Sequence, residues 1–133
     1  MKKIYTDGGS RGNPGKAACA FLVVEDEKIT QAFVRFLGDN LTNNEAEYSA
    51  IIFALETIKS REVEIISDSE LVIRQITGKY KINKPQLQLL YQKVIGLISG
   101  RIIKFSNAPR QDPFIWKADK VLNKELNKHK KIS

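Results

Sequence analysis

At 133 residues the chain suits one domain built around one hydrophobic core, and leaves little room for a second. Hydrophobic residues make up 42% and charged residues 28%, a balance that excludes a disordered chain. The 22 Lys and Arg exceed the 15 Asp and Glu, leaving a net charge of +7, so a polyanion such as nucleic acid is the first partner class to weigh against plain solubility.

Lys2 to Asp7 predicts a short strand, and the run Gly8-Gly9-Ser10-Arg11-Gly12-Asn13-Pro14-Gly15 a turn dense in helix and strand breakers. Ala17 to Val24 and Ile29 to Phe36 follow as strands rich in β-branched and aromatic residues. Between them Glu25-Asp26-Glu27-Lys28 is short enough for a hairpin, although it lacks the usual glycine. Thr42 or Asn43 is placed to cap a helix running to about Lys59. Val63 to Ser67 is a strand, followed by a helix from about Ser69 to Thr77. Pro85 suits the first turn of a helix reaching about Ile98, and Arg101 to Phe105 is the last strand. Pro113 opens a final helix ending in a solvated basic tail, Lys128-His129-Lys130-Lys131.

Three strands joined by short turns should be antiparallel neighbours, whereas the later β-α-β units require parallel crossovers. The expected fold is therefore α/β: a mixed five-stranded sheet with helices on both faces, in one domain over residues 1–133. The lone cysteine, Cys19, lies in an apolar run and is read as a buried, inert thiol. An acidic residue arrives too early for a signal peptide, and no apolar run approaches the ~20 residues that span a bilayer. The expectation is a cytoplasmic or nuclear protein without membrane contact, and a monomer because no apolar surface stripe demands a partner.

Acidic residues on apolar faces need an explanation. The first long helix carries Ile51, Leu55 and Ile58 at helical spacing, and one turn back Glu47 joins that stripe. Glu45 shares its side with Ser49 and Glu56 and is read as solvent-facing. In the final helix Ile115, Leu122 and Leu126 form a stripe onto which Asp119 falls. Asp7 and Asp68 each end an apolar strand, where sheet-edge sites gather. The four acids converge if the first and fourth strands are neighbours. Such a cluster persists when neutralised, and Mg²⁺ is the hard cation that favours carboxylate oxygens. Two such ions ~4 Å apart can activate a water and stabilise a leaving oxygen in phosphodiester cleavage. Each acid also has a purely structural use: Asp7 and Asp68 as strand ends bonding turn amides, Glu47 and Asp119 as stripe-edge residues reaching water.

The same residues resemble the type 1 ribonuclease H family through nearly the whole chain. Ile4-Tyr5-Thr6-Asp7-Gly8-Gly9-Ser10 with Gly12-Asn13-Pro14-Gly15 is similar to that family's first strand and turn. Thr42-Asn43-Asn44-Glu45-Ala46-Glu47 resembles its helix start, Ile65-Ile66-Ser67-Asp68-Ser69 its third acidic motif, and Trp116-Lys117-Ala118-Asp119 with Leu122-Asn123 its fourth. The resemblance implies a three-layer ribonuclease H-like fold and hydrolysis of the RNA strand of an RNA–DNA hybrid, leaving 5′-phosphate and 3′-hydroxyl ends. It implies Asp7, Glu47, Asp68 and Asp119 as ligands of two Mg²⁺ ions (Mn²⁺ as substitute), with Asp7 bridging both. The resemblance further implies that Glu47 touches a 2′-hydroxyl near the cut. Asn43 and Asn44 resemble minor-groove contacts, Thr42 and Asn83 a phosphate pocket for the DNA strand, and Asn13 belongs to the substrate-binding set. Helix capping and loop turning are the competing uses of these polar residues.

Two departures bear on activity. Many members of that family carry a histidine in the loop before the last helix, and Asn107-Ala108-Pro109-Arg110-Gln111-Asp112-Pro113 has none. Arg110 is read as a phosphate contact there, and His129 as a solvated tail residue. The segment from Thr77 to Pro85 is too short for the extra basic helix of some bacterial members, so Lys79, Lys81 and Lys84 replace it in part and weaker hybrid binding is expected. Two other readings stay open: a binding module without the chemistry, and a different two-metal nuclease such as a junction resolvase or a double-stranded RNA nuclease. Retention of four acids argues against the first. The Asn43-Asn44 pair favours hybrid cleavage over the second, with double-stranded RNA left as a side substrate.

Overall fold

The structure is a computed structural model that describes residues 1–130. Nine elements follow in order: β1 (Lys2–Arg11), β2 (Gly15–Glu25), β3 (Lys28–Leu41), α1 (Asn43–Thr57), β4 (Glu62–Ser67), α2 (Glu70–Ile76), α3 (Pro85–Ile98), β5 (Ile102–Asn107) and α4 (Pro113–Asn127). The five strands form one sheet in the order β3-β2-β1-β4-β5. β2 pairs antiparallel with β1 and β3, and β4 pairs parallel with β1 and β5. The expected mixed sheet is present, and the first and fourth strands are neighbours.

Alternation along the strands sorts side chains to two faces. Ile4, Phe21, Val23 and Ile65 point to one side, where Ile51 and Leu55 of α1, Val72 of α2 and Val94 of α3 complete the larger core. Tyr5, Val24 and Ile66 point to the other and meet Ile115 of α4, while Ala18 and Ala20 meet Leu122 and Leu126. Covered on both sides, β2 buries eight consecutive residues, Ala17 to Val24, as a central strand should. Cys19 is among them, and burial pushes its thiol up to about 12, leaving it inert. No helix among the described residues is long and apolar enough to cross a membrane.

Several boundaries differ from expectation, each for a local reason. β1 continues past Asp7 through Gly8, Gly9 and Ser10 to Arg11, which pairs with Lys16, so the turn shrinks to Gly12-Asn13-Pro14. The glycines that read as a turn are instead strand residues. A Cβ at Gly8 would lie 2.2 Å from the Ala46 carbonyl carbon, so glycine there permits close passage of α1. β3 likewise runs beyond Phe36 to Leu41, through a register shift at which Ala17 faces Gly38 but Ala18 faces Phe36. The β2–β3 hairpin needs no glycine, because Asp26 (φ 50°) and Glu27 (φ 63°) both adopt the left-handed conformation of a type I′ turn. α1 ends at Thr57, so Ile58 is its C-cap and not part of the helical stripe. β5 starts at Ile102 and extends to Asn107; Arg101 lies outside it and donates to the Leu55, Ile58, Ser60 and Leu97 carbonyls, closing the ends of α1 and α3.

The C-terminal tail also departs from a solvated run. His129 stacks on Phe36 with ring centroids 3.6 Å apart, its Nε2 lies 3.0 Å from Glu125 Oε2, and its carbonyl accepts from Lys16 Nζ at 2.6 Å. An imidazole two residues beyond α4 can reach both the strand and the helix, which is why it packs instead of extending into water. Lys131 of the predicted tail lies outside the described residues.

Candidate active site

The site begins where a ladder stops. β1 and β4 run parallel from Lys2 opposite Val63 to Thr6 opposite Ser67, and the next residue on each strand is an aspartate. Asp7 therefore lies within β1, not at its end, and reaches the same level as Asp68 because the β1–β4 pairing, not the strand, terminates there. Thr6 Oγ1 donates to the Ile66 carbonyl, and the Ser67 carbonyl accepts from Asn107 Nδ2 and the Ala108 amide, so Asp68 leaves the sheet on a fixed path. Ser69 then caps α2 by accepting from Val72 N.

The third acid comes from α1. Thr42 is its N-cap: its hydroxyl accepts from the Glu45 amide at 3.1 Å while Glu45 Oε1 accepts from the Thr42 amide at 3.0 Å. This capping box occupies Glu45, which is half-buried and bonded back to the helix start instead of facing solvent as its neighbours Ser49 and Glu56 suggested. Glu47 points to the sheet, and its Oε1 accepts from the Gly8 amide at 2.8 Å. The side chains of Asp7, Glu47 and Asp68 each bring a carboxylate oxygen within 4.8 Å of the others.

Three carboxylates this close resist being charged together. Burial, then the charges of Asp68 and Asp119, hold the Asp7 pKa up at about 8. Burial and the Asp7 and Asp68 charges likewise push Glu47 well above the usual carboxylate range. Asp68 Oδ1 is buried without a hydrogen-bond partner. A lone pair stranded among acids is satisfied by a cation, and an all-oxygen donor set is the chemistry that Mg²⁺ or Mn²⁺ selects. The residues thus fit a divalent metal centre.

Asp119 reaches the site from the edge of the α4 stripe and not from its buried face. The buried stripe of α4 is Ile115, Ala118, Leu122 and Leu126; Asp119, one residue beyond Ala118, falls off its edge and is exposed. It still lines the cleft of about 570 Å³ that holds Asp7, Glu47 and Asp68, and its carboxyl is close enough to raise the Asp7 pKa. Three acids are clustered, and the fourth stands at the rim beside Asp7.

A sequence profile of the RNase H family matches residues 1–129. The chain belongs to the RNase H family. Ribonuclease HI of Halobacterium salinarum is 38% identical over 102 residues, covering 72% of this chain and 50% of that protein. The bifunctional protein Rv2228c of Mycobacterium tuberculosis is 36% identical over 112 residues, covering 80% of this chain and 31% of its own length. The chain thus spans half or less of these relatives. Among solved structures, RNase H1 of the halophilic archaeon Halobacterium salinarum NRC-1 superposes with a TM-score of 0.89 at 34% identity, over 96% of this chain and 98% of that one. LC11-RNase H1, solved in complex with an RNA/DNA hybrid, gives 0.88 at 33% identity, over 97% and 99%. The three-layer RNase H fold expected from the sequence is therefore shown.

Around this RNase H centre the remaining predicted residues divide. Asn44 lines the acid cleft, and so does Asn43, whose Oδ1 accepts from the Ser10 amide at 2.8 Å. The Asn13 Oδ1 accepts from the Asn43 amide at 3.0 Å, so it braces the start of α1, and the Thr42 hydroxyl is engaged by its cap. Asn83 is exposed on the segment before α3 and does not line the cleft. That segment contains no helix, as its length predicted. Arg110 does line the cleft: its Nε stands 3.5 Å from Asp68 Oδ2 while the side chain stays 90% exposed. Sequence reasoning missed Ser10, Arg11, Trp116 and Asn123 as lining residues. Asn123 lies one helical turn beyond Asp119 and Trp116 one turn before, a signal that helix geometry alone supplies.

Proposed function

We propose that this protein is a metal-dependent endonuclease that hydrolyses the RNA strand of RNA–DNA hybrids, leaving 5′-phosphate and 3′-hydroxyl ends. The observation that carries the reading is the Asp7–Glu47–Asp68 cluster, with its raised carboxyl pKa values and the unpartnered Asp68 Oδ1. Similarity to a ribonuclease HI and to an RNase H1 solved with an RNA/DNA hybrid supports the substrate class. Asp7, Glu47 and Asp68, with Asp119 at the rim, would hold two Mg²⁺ ions, for which Mn²⁺ would substitute. When bound, such ions supply charge neutralisation at the phosphate and a water acidic enough to attack phosphorus.

The chain's own groups divide the remaining work. The Gly8 amide fixes the Glu47 carboxylate, so that acid keeps one orientation beside the cut. Asn43 and Asn44 sit at the mouth, placed to read the minor groove and the 2′-hydroxyl edge of the cut strand. Asn13, Thr42 and Asn83 complete the proposed contacts, the first two by holding the α1 N-terminus in place. Arg110 lies in the loop before α4, the loop in which many members of the family carry a histidine and this chain has none. A guanidinium stays protonated, so it can offset phosphate charge beside Asp68 but cannot shuttle a proton. A monomer is the proposed state, and the buried free thiol of Cys19 accords with a reducing cytoplasm.

The test is an end-labelled RNA–DNA hybrid incubated with the protein and Mg²⁺, beside the Asp7→Asn variant and an EDTA control. RNA cleavage abolished in both controls, with duplex DNA left intact, is the expected result. Binding without cleavage in Mg²⁺ and Mn²⁺ would overturn the nuclease reading and leave a binding module. Preferential cutting of double-stranded RNA or branched DNA would overturn the substrate.

A further inference from the structure

We propose that Trp116 and Lys120, on the exposed face of α4, form a platform for the sugar–phosphate backbone of the cut strand. The inference rests on the hybrid-nuclease reading and names a specific grip within it. Trp116 is the chain's one tryptophan, and it is 51% exposed. It is not needed to anchor α4: Ile115, Ala118, Leu122 and Leu126 form the buried stripe, and Phe114 packs against Tyr5 with the rings tilted by 43°. A large indole left in water beside an acid cleft is the kind of side chain that interfaces use as an anchor.

Its setting specifies the ligand. Trp116 lines the same cleft as Asp7, Glu47 and Asp68. Lys120, one turn later, places Nζ 3.9 Å from the indole centroid, which fixes the ring and sets a cation at its face. Asp119 and Asn123 share this side of the helix, and the Asn123 carbonyl and Oδ1 accept from Arg11 Nη2 at 3.4 and 3.3 Å. The wall therefore runs from aromatic ring to acid to guanidinium. A hybrid duplex keeps its bases stacked inside, so a flanking wall meets ribose and phosphate. The part of the ring that Lys120 leaves exposed suits ribose C–H groups, and the ammonium and guanidinium suit successive phosphates.

The test uses the full-length Asp7→Asn protein with Mg²⁺, so that a hybrid labelled on its DNA strand is held without being cut. Label anisotropy reports binding, and the single indole, excited where tyrosine does not absorb, reports contact. Indole emission should change with the same midpoint as anisotropy, and acrylamide quenching should fall about twofold on binding. Adding Trp116→Ala should weaken binding about tenfold, and Trp116→Phe much less, with unchanged thermal melts showing that the fold is intact. Full anisotropy with unaltered emission and quenching, and an unweakened Trp116→Ala variant, would overturn the platform and leave the nuclease reading standing. Absence of hybrid binding together with absence of cleavage by the parent would overturn that reading, and the platform with it.

Discussion

Asp7→Asn should abolish cleavage and yet stabilise the metal-free protein. In the fold the Asp7 carboxyl is buried beside Asp68 and Asp119, and its pKa rises from 3.8 to about 8. A carboxyl whose folded pKa exceeds its unfolded one binds its proton more tightly in the fold. Its stabilising contribution is complete below the unfolded value and is lost as pH rises through the folded value. The full span is roughly 5–6 kcal/mol at 1.36 kcal/mol per unit, of which roughly 4 kcal/mol is already lost near pH 7. Asparagine carries no charge at any of these pH values, and its amide can donate toward the unpartnered Asp68 Oδ1. In EDTA the variant should therefore melt with the parent near pH 4 but roughly 15–20 °C above it around pH 8. Saturating Mg²⁺ should raise the parent and narrow the gap, because a ligand that binds the folded state stabilises it by mass action. Circular-dichroism melts across pH, with EDTA or Mg²⁺, make the measurement. A parent whose metal-free melting point is flat from about pH 4 to 8, or a variant that melts below it throughout, would refute mutual repulsion as the dominant force in the cluster.

Other substitutions separate the scaffold from the chemistry. Gly8→Ala places a Cβ against the α1 backbone at Ala46, so it should destabilise by about 3 kcal/mol and abolish cleavage although every acid remains; urea unfolding and hybrid cleavage read the two effects. Thr42→Ala removes half of the capping box and should cost about 1 kcal/mol in the same unfolding assay. Arg110→Ala breaks an exposed ion pair and should change stability by less than ~0.5 kcal/mol, yet slow single-turnover cleavage of the hybrid; an unchanged rate would remove Arg110 from the site.

Much of the fold was legible because local chemistry and tertiary need agree. The apolar run at Ala17–Val24, Pro85 and Pro113 at helix starts, and the Thr42 cap each act through neighbours in sequence, and each stands where local rules place it. Asp7, Glu47 and Asp68 were legible for a related reason: an acid among apolar neighbours violates burial rules, and a functional site is where such violations persist. Periodicity was less able to place Asp119. A helical stripe is a band of finite width, and whether its edge faces the core or the cleft depends on how α4 rests on β1 and β2.

Tertiary structure alone decided the rest, because those features depend on groups far apart in the chain. Gly8 and Gly9 carry the local signature of a turn, but the β2 ladder and the approach of α1 hold them in a strand. Glu45 shares its side of α1 with the polar Ser49 and Glu56, but its carboxylate closes the helix start. His129 belongs to a basic run, but Phe36, brought near by the sheet, gives it a ring to stack on. The sequence by itself determined which acids could cluster. The end of the β1–β4 pairing at Thr6 and Ser67 decided that Asp7 and Asp68 would stand level, within reach of Glu47, since only pairing between distant strands sets one residue beside another.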